Sequence, residues 1–179
     1  SKGAGDGYKI LANQVADLGA KSVATEPEIA NMMVSIAAQG KSAGFTQNQI
    51  LALSSTLSSL AIPKEWARGS LQRIFNSINV AAAEGGDAMH TYARAVGVTD
   101  AEFQKLWRDD PNKVFQGILQ NLAGIGDKVQ KAQAIKDLGF KNVRDVELLS
   151  RMSNSVGLYV EQLEEAERAS KNTSFIDDS

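Results

Sequence analysis

His90 is the only histidine in the chain, and Glu84 and Asp87 precede it by six and three positions. On one helical face those carboxylates could accompany the imidazole as an acid–base pair. No serine or cysteine nucleophile motif stands with them, and a lone helical histidine of this kind is ordinarily a surface or partly buried residue. The densest charged groups are Arg108-Asp109-Asp110 and Glu161-Gln162-Leu163-Glu164-Glu165. Paired carboxylates can perform glycosidic acid–base chemistry. Here, however, Asp110 is better placed as a helix cap, and the glutamates fall on a helix face expected to be solvated. One imidazole among scattered carboxylates does not make a metal site, and with no cysteine there is neither a thiolate ligand nor a disulfide. Gly85-Gly86 and Gly124-Ile125-Gly126 lack the preceding strand and the Lys-Ser/Thr of a phosphate loop and read as linkers. No catalytic residue, metal or cofactor is therefore expected.

Nucleic-acid recognition fares no better. Ala43-Gly44-Phe45-Thr46-Gln47-Asn48-Gln49-Ile50 has the short turn and polar helix start of a helix-turn-helix, but the 22 residues after Lys41 carry no charge. A recognition helix needs Arg or Lys for bases and phosphates. The net charge of −2 supplies no long-range attraction to nucleic acid or an anionic membrane. The same uncharged stretch is too broken by Gln47, Asn48, Gln49 and serines to span a bilayer, and it reads as a buried core helix.

The elements that would position any site are announced by a repeated punctuation. Gly44-Phe45-Thr46 with Gln49, and Gly97-Val98-Thr99 with Glu102, each combine a glycine helix stop with a threonine cap and a Gln/Glu that closes a capping box. Phe45 with Ile50, and Val98 with Phe103, supply hydrophobic staples. Thr25 reads as a further cap, with Pro27 in the first turn and Ile29, Met32, Met33 and Ile36 as the stripe. Asp110 and Pro111 start another helix with a capping aspartate and proline at its first position. Gly139 with Asn142 and Asp145 restates the stop and cap in weaker form.

Between these marks the apolar spacing predicts helices over about Tyr8 to Leu18, Gln47 to Leu60 and Lys64 to Ala83, then Ala88 to Val96, Asp100 to Asp109 and Lys128 to Leu138. Glu84-Gly85-Gly86-Asp87 marks the clearest break, Gly86 included. Gly69, inside the Lys64 helix, is expected to serve a close helix crossing. The last helix, roughly Val156 to Ser170, is expected to bury Leu158, Val160 and Leu163 and to solvate its glutamates, with 172–179 lacking any period. Trp66, Phe75, Phe103, Trp107 and Phe115 fall at helical spacing with Leu and Ile, which is core packing unless they line a partner groove. No run alternates as a strand would. The expected fold is all-α, a compact irregular bundle of about 8–10 short helices without a sheet. Its parts are a lead and first helix over 1–24, a main helical domain over 25–153, and a terminal helix with a frayed tail over 154–179. The offset of about 53 residues between Thr46 and Thr99 is matched only at the cap, which favours a bundle over a solenoid.

Residues of about Thr25 to Met152 resemble the central helical domain of phage tail tape measure proteins. The motifs, in order, are Lys41-Ser42-Ala43-Gly44-Phe45-Thr46, Trp66-Ala67-Arg68-Gly69-Ser70-Leu71 and Ala82-Ala83-Glu84-Gly85-Gly86-Asp87. Tyr92 to Phe103, Trp107-Arg108-Asp109-Asp110-Pro111 and Leu138-Gly139-Phe140-Lys141-Asn142-Val143-Arg144 complete the run. Ile62-Pro63 and the serines of Ser54 to Ser59 depart from the family pattern. The resemblance implies a noncatalytic segment of a longer protein in the lumen of a phage or prophage tail, assembled in the bacterial cytoplasm. Its implied partners are the tail tube, tail chaperones and tail tip, with self-association left open. Alternative readings are an intracellular helical adaptor with a groove near Trp66, Trp107 or Met32-Met33, and, further off, a helical cell-wall hydrolase using Glu84 or His90. One unbroken helix of 179 residues would reach about 270 Å. The glycines, Pro63, Pro111 and repeated caps forbid that rod.

Overall fold

Gly44 and Gly97 take the left-handed backbone conformation, at φ 95° and 83°, that ends one helix and frees the next to start. Phe45 N–H then donates to Gly40 O at 2.9 Å and Val98 N–H to Ala93 O at 2.9 Å, which satisfies carbonyls left over at the helix ends. Both turns feed a reciprocal cap. Thr46 Oγ1 accepts from Gln49 N–H at 3.1 Å while Gln49 Oε1 accepts from Thr46 N–H at 2.9 Å. Thr99 and Glu102 repeat the exchange at 3.2 Å in each direction.

The computed structural model describes the backbone of residues 4–20 and 22–178, and the side chains of residues 7, 9–19 and 22–171. Among the described residues there are ten helices and no strand. They are α1 (Ala4–Ala20), α2 (Glu26–Ala43), α3 (Gln47–Ser59), α4 (Lys64–Glu84), α5 (Gly86–Val96), α6 (Asp100–Asp109), α7 (Pro111–Ala123), α8 (Lys128–Asp137), α9 (Val143–Asn154) and α10 (Val156–Asp178). The all-α bundle of short capped helices expected from the sequence is what forms.

The fold winds around α3. Every residue from Ile50 to Leu57 is buried, because α2 and α10 pack along its sides and α1 closes over its start. A helix enclosed on all sides has no solvated face, so Ser54, Ser55 and Thr56 lie inside with the leucines. Their hydroxyls are satisfied there. Ser54 Oγ donates to Ile50 O and Thr56 Oγ1 to Ala52 O, each at 2.8 Å, while Ser55 Oγ donates to Gln162 Oε1 of α10 at 2.6 Å. The second half of the chain, α4 to α9, shares the same apolar core through Leu71, Ile74, Phe103, Phe115, Ile118 and Leu149. After α3 the chain turns at Ala61, a non-glycine residue at φ 57°. There the Leu60 carbonyl accepts from the Arg151 guanidinium.

Several expectations are corrected by the packing. Asp110 is not a side-chain cap: at φ −153° and ψ 75° its carboxylate makes no bond to the first turn of α7, whereas the threonine caps sit near ψ 160°. Asp145 does not reach back to Asn142, although Asn142 Oδ1 does accept from Arg144 N–H at 2.9 Å. Gly69 borders no helix crossing, since a Cβ there would meet only the Arg73 guanidinium at 3.4 Å. The crossing glycine is Gly40, inside α2. A Cβ on Gly40 would fall 2.6 Å from Ile50 Cγ1. Val80 on α4 is exposed. In α10 the buried face is Tyr159, Gln162, Glu165, Ala166 and Ala169, while Leu158, Val160 and Leu163 are half-buried. The helical backbone also runs on past Ser170 to Asp178.

Gly40→Ala is expected to lower stability by about 1–2 kcal/mol, overpacking against Ile50 outweighing the gain in helix propensity. Gly69→Ala should raise it by about 0.5–1 kcal/mol, because only propensity changes. Urea unfolding of the two variants checks the order, and the reverse order would mean that α2 and α3 are not in contact at Gly40.

Candidate functional site

The helix starts that organise the fold also bring together the few polar groups capable of chemistry. His90 on α5 lies across the Gly97 turn from Asp100 on α6, and its Nδ1 sits 3.0 Å from Asp100 Oδ1. Arg94, one turn along α5, donates from Nη2 to His90 Nε2 at 2.9 Å. A guanidinium can only donate, so Nε2 accepts and Nδ1 carries the proton toward Asp100. The lone pair that a general base would use is thus already taken by a cation. The cluster is open to solvent at the surface. Neither carboxylate expected to join it does so. Glu84 ends α4 beside a separate groove lined by Arg73 and Tyr92, and Asp87 contributes its backbone carbonyl to Thr91 Oγ1 at 2.8 Å.

A second depression lies between α2, α4 and α6, with a volume of about 510 Å³. Gln39, Ser42, Gln72, Asn76 and Asn79 line it, and Trp107 forms part of its floor. Trp107 is nonetheless a core residue. It is buried, stacks near Phe75 at 6.4 Å between ring centroids, and donates from Nε1 to Asn79 Oδ1 at 3.1 Å. Phe75, Phe103 and Phe115 are likewise buried, whereas Trp66 is half-buried and donates to Arg144 O at 3.0 Å, tying α4 to α9. Met32 is buried and Met33 half-buried against it, so the methionine pair belongs to the core as well.

One ionic contact between helices has no local mark in the sequence. Arg73 of α4 grips Asp145 of α9 with Nε 2.9 Å from Oδ2 and Nη2 2.7 Å from Oδ1, a fork on a carboxylate that is almost fully buried. That hydrogen bonding, with the attraction of the carboxylate added, holds the Arg73 guanidinium above its ordinary range against the opposing effect of burial. Tyr159 of α10 was also missed. Its hydroxyl donates to Asn112 Oδ1 of α7, and burial, then the nearby Asp110 carboxylate, push its phenol far above the usual tyrosine range. Lys131, buried on α8, donates to Asn154 Oδ1 of α9. A stripe of Tyr159, Gln162, Ala166 and Ala169 at helical spacing was the available signal for the α10 contacts. Nothing local marked Arg73 as the partner of Asp145.

Among the described residues no group of three or more His, Asp or Glu could hold a metal ion, and no helix is long and apolar enough to cross a membrane. The polar groups instead join helix to helix. Against this all-helical arrangement, the family described as phage-related minor tail protein matches residues 5–139. The chain belongs to that family. No curated protein and no solved structure matches it. The family match covers α1 to α8 and stops at Gly139, the left-handed turn ahead of α9. Yet α9 and α10 supply Leu148, Leu149, Met152 and Tyr159 to the same core, so this minor tail protein folds around residues beyond the matched span.

Two measurements follow. Arg73→Met should cost about 3 kcal/mol, because it leaves Asp145 buried without its partner, and the double variant with Asp145→Leu should recover most of that loss. Additive losses in urea unfolding would deny the coupling. For Tyr159 the folded state favours the neutral phenol, so its contribution is complete below about pH 10 and is lost as pH rises above it. Tyr159→Phe should flatten that alkaline loss while costing about 1 kcal/mol at neutral pH through the Asn112 bond. An unchanged alkaline slope would assign the loss to other groups.

Proposed function

We propose that this chain is a noncatalytic structural segment of a phage or prophage tail tape measure protein, acting in tail assembly and tail length determination. The observation that carries the reading is the family match to residues 5–139. The ordered motifs from Thr25 to Met152 narrow it from a tail protein to a tape measure, with 25–153 as the main helical unit and α1 and α10 flanking it. The segment resides in the tail lumen. Its partners there are the tail tube, the tail chaperones during assembly and the tail tip, and it needs no cofactor and no nucleic acid.

The mechanical role follows from shape. A ruler works by contour length, and a continuous helix contributes about 1.5 Å per residue. The ten described helices, folded against one another, do not add in that way. The segment therefore acts as a folded unit carried by the ruler, while measurement belongs to other parts of the parent chain. The hydroxyls of Ser54, Ser55 and Thr56 in its interior are all used within the bundle, which suits a building block rather than a binding cleft.

Deleting residues 25–153 in frame from the parent gene tests both parts. Purified virions should contain the undeleted protein by mass spectrometry. Tails made with the deletion should shorten by far less than the roughly 190 Å that a helical rod of that length would represent. Absence of the chain from purified particles would sink the tail assignment, and a loss close to the rod value would sink the folded unit. A gene lying away from the tail cluster would also oppose the reading.

A further inference from the structure

Four contacts fix how the terminal helices lie. Gln14 of α1 donates to Asn48 Oδ1 at the start of α3 at 2.6 Å and to Ala166 O of α10 at 2.9 Å. Asn48 in turn donates to Glu167 Oε2 at 3.0 Å, whereas Ser55, two turns along α3, meets Gln162. Position numbers thus fall along α10 as they rise along α3, and the two run antiparallel. Further along α1, Leu18 packs with Leu51 and Ile29, deeper along α3 than Asn48, so α1 runs parallel to α3 and antiparallel to α10. The outer portions of α1 and α10 accordingly lie side by side at the same end of the molecule, beyond the Thr46 cap.

What holds that pair differs from what holds the rest. Leu18, Ala24, Ile29, Leu51 and Ala166 form a small apolar cluster separate from the main core. The last residue of α10 buried in the main core is Tyr159. Beyond it the fully buried face of α10 consists of Gln162, Glu165, Ala166 and Ala169, which offer hydrogen bonds and small side chains, while Leu163 of α10 and Leu11 and Val15 of α1 are only half-buried at the edges of the two clusters. Each buried hydrogen bond is a modest net contribution, and an alanine has little side chain to remove from water.

We propose that α1 and the part of α10 beyond Tyr159 form a strap that opens ahead of the α2–α9 body when tension is applied through the terminal helices. With both helices leaving the molecule at one end, the load falls on one contact at a time, and the pair unzips. Unzipping stops at Tyr159, which is anchored by Asn112 and sits 6.5 Å from Phe115 between ring centroids. The strap is thus a length reserve in the chain, released before the body is disturbed. The inference goes beyond the tape-measure reading and does not need it, since every contact involved is internal to this chain.

The chain has no cysteine, so Gly7→Cys and Lys171→Cys provide unique handles for an optical trap. The expected trace has two steps. A low-force step releases about 30 residues, on the order of 100 Å of extended chain, and a higher-force step releases the body. Gln14→Ala should speed the first step about fivefold and leave the second unchanged, as the loss of one buried hydrogen bond predicts. Leu149→Ala, in the body, should weaken only the second. Moving the first handle to the exposed Val23, at the far end of the α1–α10 pair, loads α10 in shear and should abolish the low-force step. A single all-or-none rupture from the Gly7 and Lys171 handles would overturn the proposal. So would a first step weakened by Leu149→Ala, or a low-force step that survives the Val23 handle.

Discussion

The packing of five aromatic rings is the constraint on which the remaining geometry depends. Phe45 lies 4.8 Å from Phe75 and 6.2 Å from Phe115 between ring centroids, and Phe75 lies 5.5 Å from Phe115, edge to face. Trp107 joins at Phe75 and Tyr159 at Phe115. These rings come from the α2–α3 turn, α4, α6, α7 and α10, so one contact region fixes five segments far apart in sequence. Phe45 reaches it only because Gly44 turns the chain through a left-handed conformation, which throws the next side chain back onto the bundle. A local stop signal thereby becomes a long-range packing decision. The same step repeats at Gly97 and at Gly139, where Phe140 is returned to the core beside Tyr92 at 5.7 Å.

The difference between what could and could not be read from the sequence follows the range of the interaction. The Thr46 and Thr99 caps were legible because donor and acceptor lie three residues apart, and the chain itself enforces their meeting. Helix type and the buried stripes of α2, α4 and α7 were legible for a similar reason, through 3.6-residue spacing. Asp110 and Asp145 carry the right residue type at the right place for a cap, but Asp110 makes no bond to the first turn and Asp145 is used elsewhere. Asp145 is claimed by Arg73, 72 positions earlier, whose fork gives a buried carboxylate more than a single helix N–H could. Apolar residues are a poor guide to the α10 face. A helix lying on the hydroxyl-bearing side of α3 buries Gln162 and small alanines instead, and leaves Leu158 and Leu163 at the margin.

The candidate site shows the same division. His90 was identifiable as the one imidazole, but its partners are Asp100 across a turn and Arg94 one turn along, not the Glu84 and Asp87 that precede it. The turn at Gly97 decides this by folding α6 back beside α5. Trp107 and Phe75 read equally well as core or groove from their spacing, and burial resolves them as core. The serines of α3 looked like a departure from the family pattern. In the fold they are the means by which a central helix with no solvated face accommodates a polar neighbour, since Ser55 meets Gln162 and the flanking hydroxyls close on their own helix.

That central helix links the fold to the behaviour expected of a tail protein. Two kinds of surface cover α3. On one side α2 crosses closely at Gly40, where there is no room for a Cβ, and its contacts are apolar and continuous with the aromatic region. On the other side α10 covers it through carboxamides, hydroxyls and alanines, and α1 adds Gln14 and the small cluster of Leu18 on Leu51. Dispersion and burial scale with the atoms in contact, so the first covering resists separation through many interactions at once. The second combines a small apolar cluster with hydrogen bonds that water can replace as they break. Neither side contains a covalent link, because the chain lacks cysteine. A body with a close-packed side and a polar side can therefore stay folded while its terminal helices are drawn away, and the division between those states falls at Tyr159, where the polar stripe of α10 meets the rings.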